Sequence, residues 1–170
     1  MAKLLVDGGA MVVGISDSHG GIYLESGLDI CLVRHIKQQK QSVITYPTAQ
    51  IIDSDAFLFQ SCDVLIPAAL ENQIFKENAP NIQAKLIMEL ANGPITPEAD
   101  TILHDRGIVV IPDILANAGG VTVSYFEQVQ NSMNFSWDRD KVQHKLQEKM
   151  KIALQGVQAS AYEHNVPLRT

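Results

Sequence analysis

Four short runs constrain this chain more than anything else in it: Met11-Val12-Val13-Gly14-Ile15, Val64-Leu65-Ile66, Leu86-Ile87-Met88 and Ile108-Val109-Val110-Ile111. None carries a polar side chain. A strand with one wet face alternates apolar and polar residues, whereas a strand covered on both faces reads as continuously apolar, and that is the signature of a parallel sheet. The first run ends at Ser16-Asp17-Ser18; Pro67 and Pro112 stop the second and fourth. The expectation is four neighbouring parallel strands. Val43-Ile44 reads as a further short strand.

Helical spacing fills the gaps. Leu28, Leu32 and Ile36 recur at helical intervals between Leu28 and Lys40, and Glu71 to Asn81 is a shorter candidate. Thr96-Pro97-Glu98 is a helix start: a capping hydroxyl, a proline at the first helical position, then an acid in the first turn. Arg106-Gly107 is the matching stop. Lys141 to Tyr162 reads as a long amphipathic helix, and Ala2-Lys3-Leu4-Leu5 as the tail of one. Strand and helix in this rhythm predict an α/β fold, with a doubly wound, mainly parallel sheet and helices on both faces, as one domain over residues 1–170.

Composition narrows the function classes. The net charge of −6 and the scattered basic residues argue against a nucleic-acid-binding face. No apolar run is long enough to span a membrane, and the start at Met1-Ala2-Lys3 does not resemble a secretory signal. Cys31 and Cys62 have no metal-site spacing and read as buried thiols in a reducing cytoplasm. His19, His35, His104, His144 and His164 are dispersed, with no acid and nucleophile at a recognisable spacing.

In an open α/β sheet, ligands bind just past the carboxyl ends of the strands. Here those ends are Ser16-Asp17-Ser18, Pro67-Ala68-Ala69, Ala91-Asn92-Gly93-Pro94 and Asp113 through Gly120. Small residues let a flat cofactor approach the backbone, and asparagine amides both donate and accept, as ribose hydroxyls and a carboxamide require. Asp17 suits the adenosine ribose and would repel a ribose phosphate, which favours NAD over NADP; it equally suits a cap on the turn into Gly20-Gly21. Asn92-Gly93 and Asn117 to Gly120 read either as turn chemistry or, taken together on one edge, as a nucleotide site. A helix opening at Gly119-Gly120 would present its amino end to an anion, with Ser124 in its first turns.

Long stretches then become familiar. Val13-Gly14-Ile15-Ser16-Asp17-Ser18, Gly20-Gly21-Ile22-Tyr23, Ile66-Pro67-Ala68-Ala69-Leu70-Glu71-Asn72-Gln73-Ile74, Ala91-Asn92-Gly93-Pro94 and, above all, Ile111 through Glu127 resemble glutamate dehydrogenases of the Glu/Leu/Phe/Val dehydrogenase family. The resemblance implies reversible oxidative deamination of L-glutamate to 2-oxoglutarate and ammonia, with hydride passing to NAD; NADP stays open. It implies that Asp17, Ala68, Asn72, Asn92 and Asn117 line the dinucleotide crevice, and that Val121 and Ser124 reach the substrate's side-chain carboxylate. The family's first strand, glycine-rich loop and amino-terminal domain, which supplies the catalytic lysine and aspartate, have no counterpart here. The expectation is therefore an incomplete Rossmann-type domain, inactive in isolation and prone to self-association, from an enzyme that is a homo-oligomer. The alternatives are a non-catalytic nucleotide- or protein-binding α/β module and a domain of a related amino-acid dehydrogenase. Leu90 stands where the family tends to have a small residue, and Gln128 where an aromatic is common.

Overall fold

The computed structural model describes residues 1–169, which divide into two compact units, one built from residues 1–62 with 81–83 and the other from residues 63–80 with the chain from 84 onward. Each carries its own three-stranded sheet.

In the first unit, α1 (Ala2–Asp7) precedes a hairpin of β1 (Gly14–Asp17) and β2 (Gly20–Tyr23). The strands pair antiparallel with Asp17 opposite Gly20, which leaves Ser18 and His19 as the turn. β3 (Gln50–Ile52) joins the other side of β2, also antiparallel. This corrects the expectation for the first apolar run. Met11 is exposed, the strand begins only at Gly14, and its hydrogen bonds go to β2 and not to the other three runs. The glycines of β2 hid that strand from a reading based on side-chain pattern. Gly21 is required by what lies above the sheet. A Cβ on Gly21 would overlap the ring of Phe57, from the short helix α3 (Ser54–Phe57), and one on Gly14 would sit 3.2 Å from the same ring.

α2 (Ile30–Gln38) starts two residues later than the apolar spacing suggests, because the Asp29 carboxylate accepts from the backbone of Cys31 and Leu32 and fixes the first turn there. The helix buries Ile30, Val33 and Ile36, which join Ile22, Leu28, Val43 and Tyr46 in one core. Val43-Ile44 is not a strand but part of a 3₁₀ turn, Val43–Thr45, held by Ser42 at its start. Cys31 is an exposed thiol rather than a buried one, and Cys62 is half-buried.

In the second unit, β4 (Val64–Leu65), β5 (Leu86–Met88) and β6 (Val109–Ile111) form a parallel sheet with β5 in the middle. Three of the four apolar runs thus behave as expected. α4 (Pro97–Asp105) links β5 to β6; Thr96 caps it, Pro97 opens it and Gly107 leaves it at φ +73°. No helix forms over Glu71–Asn81 apart from a final 3₁₀ turn, Ala79–Asn81. Asn78 is the reason: its side chain accepts from Phe75 N at 2.8 Å and donates to Gln73 O at 2.9 Å, competing with helical pairing. Ile74 instead bridges in parallel to Ile95, and both are buried. A short helix, α5 (Asp113–Ala116), follows β6, then α6 (Ala118–Met133) and the long α7 (Arg139–His164). At the α6–α7 corner Trp137 meets Phe126 edge-on and lies under the ammonium groups of Lys141 and Lys145.

The Phe57 platform is testable. Gly21→Ala forces that ring off the sheet and should cost the first unit about 2–3 kcal/mol in chemical denaturation. The double variant Gly21→Ala/Phe57→Leu should recover part of the loss. Equal stability of Gly21→Ala and wild type would refute the platform.

Candidate functional site

The carboxyl ends of β4, β5 and β6 lie on one edge of the second unit's sheet because the strands are parallel and in register. Past β4 the chain turns at Pro67, whose carbonyl accepts from both Leu90 N and Ala91 N at 3.0 Å. The loops after β4 and β5 are thereby stitched together, and Ala68 is left exposed. Asn72 sits in the left-handed region at φ +52° and donates its backbone N–H to Gly93 O at 2.9 Å. Gly93 is also left-handed, at φ +52°.

Asn117 is not among the residues with positive φ, and neither are Asn92, Gly119 or Gly120. Turn chemistry therefore explains Gly93 and Asn72 but not this pair of asparagines. Their side chains meet instead: Asn117 Nδ2 donates to Asn92 Oδ1 at 2.8 Å. That bond spends one donor of Asn117 and one acceptor of Asn92. It leaves the Asn92 amide N–H groups and the Asn117 carbonyl oxygen for a ligand that both accepts and donates. Asn92 is exposed and Asn117 half-buried, so the pair is reachable from solvent.

The loops that carry the pair are held by carboxylates. Asp113 Oδ2 accepts from Gly93 N at 2.8 Å and Asp113 Oδ1 from Ile114 N at 2.6 Å. Glu89, which directly follows β5, is wholly buried. Its Oε2 accepts from Asp113 N at 3.0 Å and its Oε1 from the Arg169 guanidinium at 2.7 Å. Burial pushes the Glu89 carboxyl above its ordinary range, against the opposing pull of Arg169 and the Asp113 N–H.

α6 begins at Ala118, one residue before the glycine pair, and α5 runs almost directly into it. Gly119 and Gly120 thus lie inside the helix. Phe126 is the buried anchor of α6, while Val121, Ser124 and Tyr125 are exposed along one face at helical spacing. The Ser124 hydroxyl donates back to Gly120 O at 3.3 Å. Its oxygen lone pairs stay open, and the hydroxyl can be re-aimed at small cost because that bond is long.

Asp17 belongs to the first unit. Oδ1 accepts from Ser42 Oγ at 2.9 Å and from His19 N at 3.0 Å; Oδ2 accepts from Lys37 Nζ at 2.8 Å and from Val43 N at 3.0 Å. Partial burial disfavours the charge, but these four donors outweigh it and hold the carboxyl well below the usual aspartate range. The His19 contact is the turn cap that the sequence allowed. The other three donors tie α2 and the 3₁₀ turn to the end of β1.

The comparisons with known proteins agree along nearly the whole chain. The profile of the Glutamate/Leucine/Phenylalanine/Valine dehydrogenase family matches residues 1–170. The chain belongs to that family. It is 49% identical over 162 residues to the glutamate dehydrogenase of Thermotoga maritima, which covers 95% of this chain and 39% of that enzyme. It is 44% identical to the catabolic NAD-specific glutamate dehydrogenase of Bacillus subtilis, over 99% of this chain and 40% of that one. Among solved structures, the glutamate dehydrogenase of Peptoniphilus asaccharolyticus superposes with a TM-score of 0.81 at 38% identity, covering 98% of this chain and 38% of that one. The hetero-hexameric enzyme of Thermus thermophilus, in its Leu-bound form, does so at 0.90 and 28%, covering 99% and 39%. This member of the dehydrogenase family thus spans about two-fifths of the length of the curated relatives it matches.

Sequence reasoning about this family member named Asn92 and Asn117 but missed Glu89 and Arg169. The signal for Glu89 was present: it directly follows an all-apolar run, and an acid buried there calls for a cation or hydrogen-bond donors. Nothing in the sequence named Arg169 as that cation, because 80 residues separate the two.

The Asp17 cluster predicts a pH dependence. Folding lowers this pKa, so its stabilisation is complete above the ordinary value of 3.8 and fades as the pH falls below it. Asp17→Asn should cost about 2 kcal/mol at pH 7, and the gap to wild type should narrow with each step below 3.8 in denaturation series. A gap that is constant from neutral pH down to strongly acidic pH would show that the charge of Asp17 contributes nothing.

Proposed function

We propose that this chain is the nucleotide-binding part of a glutamate dehydrogenase, an NAD-dependent oxidoreductase that converts L-glutamate and water to 2-oxoglutarate and ammonia. The observation that carries the reading is the Asn92–Asn117 amide pair, set at the common edge of three parallel strands in a member of this dehydrogenase family. NAD accepts the hydride when bound. Ala68, Asn72, Asn92 and Asn117 fit such a group, since they offer small or amide side chains at the edge where nucleotides bind α/β sheets. They bind and orient. Asp113 has both carboxylate oxygens engaged with backbone N–H groups, so these residues offer no free acid or base to the reaction. The lysine and aspartate chemistry that the family resemblance implies then comes from a domain other than this incomplete Rossmann-type one, and residues 1–170 alone are inactive.

NAD is favoured over NADP by the similarity to the NAD-specific enzyme of Bacillus subtilis. The family resemblance assigns Asp17 to the same preference; within the first unit its two oxygens already accept four hydrogen bonds. Val121 and Ser124, exposed on one face of α6, are assigned to the substrate's side-chain carboxylate. The intact enzyme is read as a cytoplasmic homo-oligomer; among the described residues no helix is long and apolar enough to cross a membrane.

Two measurements test this reading. Calorimetric titration should show NAD binding to the chain, with Asn92→Ala and Asn117→Ala each weakening it about fivefold to tenfold, the loss expected for one hydrogen bond. No heat from millimolar NAD would remove the nucleotide assignment. In an intact enzyme carrying this segment, Ser124→Ala should lower kcat/KM for glutamate about tenfold to hundredfold while NAD affinity holds. Loss of NAD affinity instead would move Ser124 out of the substrate pocket.

A further inference from the structure

Glu89 is the buried charged residue among the described side chains, and it sits where β5 gives way to the loop bearing Asn92. A carboxylate without water costs several kcal/mol to keep charged unless cations and N–H groups surround it. Its two oxygens are divided between two tasks. Oε1 takes Arg169, which also donates to Ile95 O at 3.3 Å and lies 3.7 Å from Asp100 Oδ1. Oε2 takes Asp113 N, and the Asp113 carboxylate in turn takes Gly93 N. Gly93 follows Asn92 in the chain, and α5, which begins at Asp113, delivers Asn117. Two carboxylates in series therefore connect the Arg169 guanidinium to both halves of the amide pair.

We infer that Glu89, anchored by Arg169, is a positioning residue that sets the separation and orientation of Asn92 and Asn117. This rests on reading that pair as a nucleotide site. Glu89 itself is wholly buried and has both oxygens committed, so it acts only through Asp113. Without Arg169 the buried carboxylate has lost its cation and takes up a proton or draws in water. A neutral Glu89 accepts more weakly from Asp113 N, Asp113 is freed to shift, and Gly93 loses its fixed acceptor. The pair then has to be ordered by the ligand at the moment of binding, which lowers affinity. Were Arg169 merely a tether for the segment around it, disturbance would stop at Val166–Leu168.

The test uses the 170-residue chain in solution, with two nuclear magnetic resonance signals as readout: the Gly93 backbone amide and the Asn117 side-chain amide. Arg169 is part-exposed, so Arg169→Ala opens a surface site instead of a core hole. In that variant both signals should move toward the shifts of free amides, and calorimetric NAD affinity should fall about tenfold. Arg169→Lys, which keeps the charge but loses the planar fork, should restore the signals in part. Should Arg169→Ala fail to fold, Arg169→Lys carries the test with the same two signals. Unmoved Gly93 and Asn117 signals in a folded variant overturn the inference, as do shifts confined to Val166–Leu168. Signals that move in a chain that binds no NAD uphold the positioning and defeat the nucleotide reading instead. Wild-type binding of NAD with unmoved signals in the variant does the reverse.

Discussion

The pairing of the Glu89 carboxylate is the constraint around which the second unit is arranged. A charge in that place admits few solutions: water, a cation, or a chain of hydrogen bonds ending at one. The chain uses the last two together. Arg169 supplies the cation and Asp113 N the hydrogen bond, and the backbone conformation after β5 and β6 follows from meeting both demands. The left-handed Gly93, the short helix α5 that starts on Asp113, and the meeting of two asparagines beyond them are parts of one arrangement. The first unit shows the same logic at its own scale, where Asp17 gathers four donors from the turn, from α2 and from the 3₁₀ segment.

What the sequence made legible follows from how local each signal is. The three parallel strands, the Thr96-Pro97 helix start and the Arg106-Gly107 stop rest on runs of a few residues and survive folding unchanged. β2 was hidden because Gly20 and Gly21 look like a turn, while the Phe57 ring that requires Gly21 is 36 residues further along the chain. The Glu71–Asn81 segment failed for the opposite reason: its apolar spacing is permissive, and the amide of Asn78 outbids it. Uniform apolarity in the Met11 run suggests a strand covered on both faces beside the other three, but Met11 is exposed and the strand pairs with β2.

The site follows the same rule. Asn92 and Asn117 stood out as amides at strand ends, and each alone reads more readily as turn chemistry than as binding. Their backbone angles and their mutual bond separate the two meanings, and neither is written in a single peptide segment. Val121 and Ser124 share an exposed face of α6 because Phe126 takes the inner one.

The span of the Arg169–Glu89 pair bears on how the chain is made. The two residues are 80 positions apart, so β5, α4, β6 and α6 are all synthesised before the guanidinium that completes them. Until then the end of β5 holds an acid that must take up a proton or keep water beside it. The contacts local to β5, α4 and β6 can form ahead of that pair, whereas the Glu89–Arg169 contact cannot. Synthesis paused ahead of residue 169 would populate a species without that contact, a natural substrate for chaperones and proteases, even with every strand of the sheet already translated.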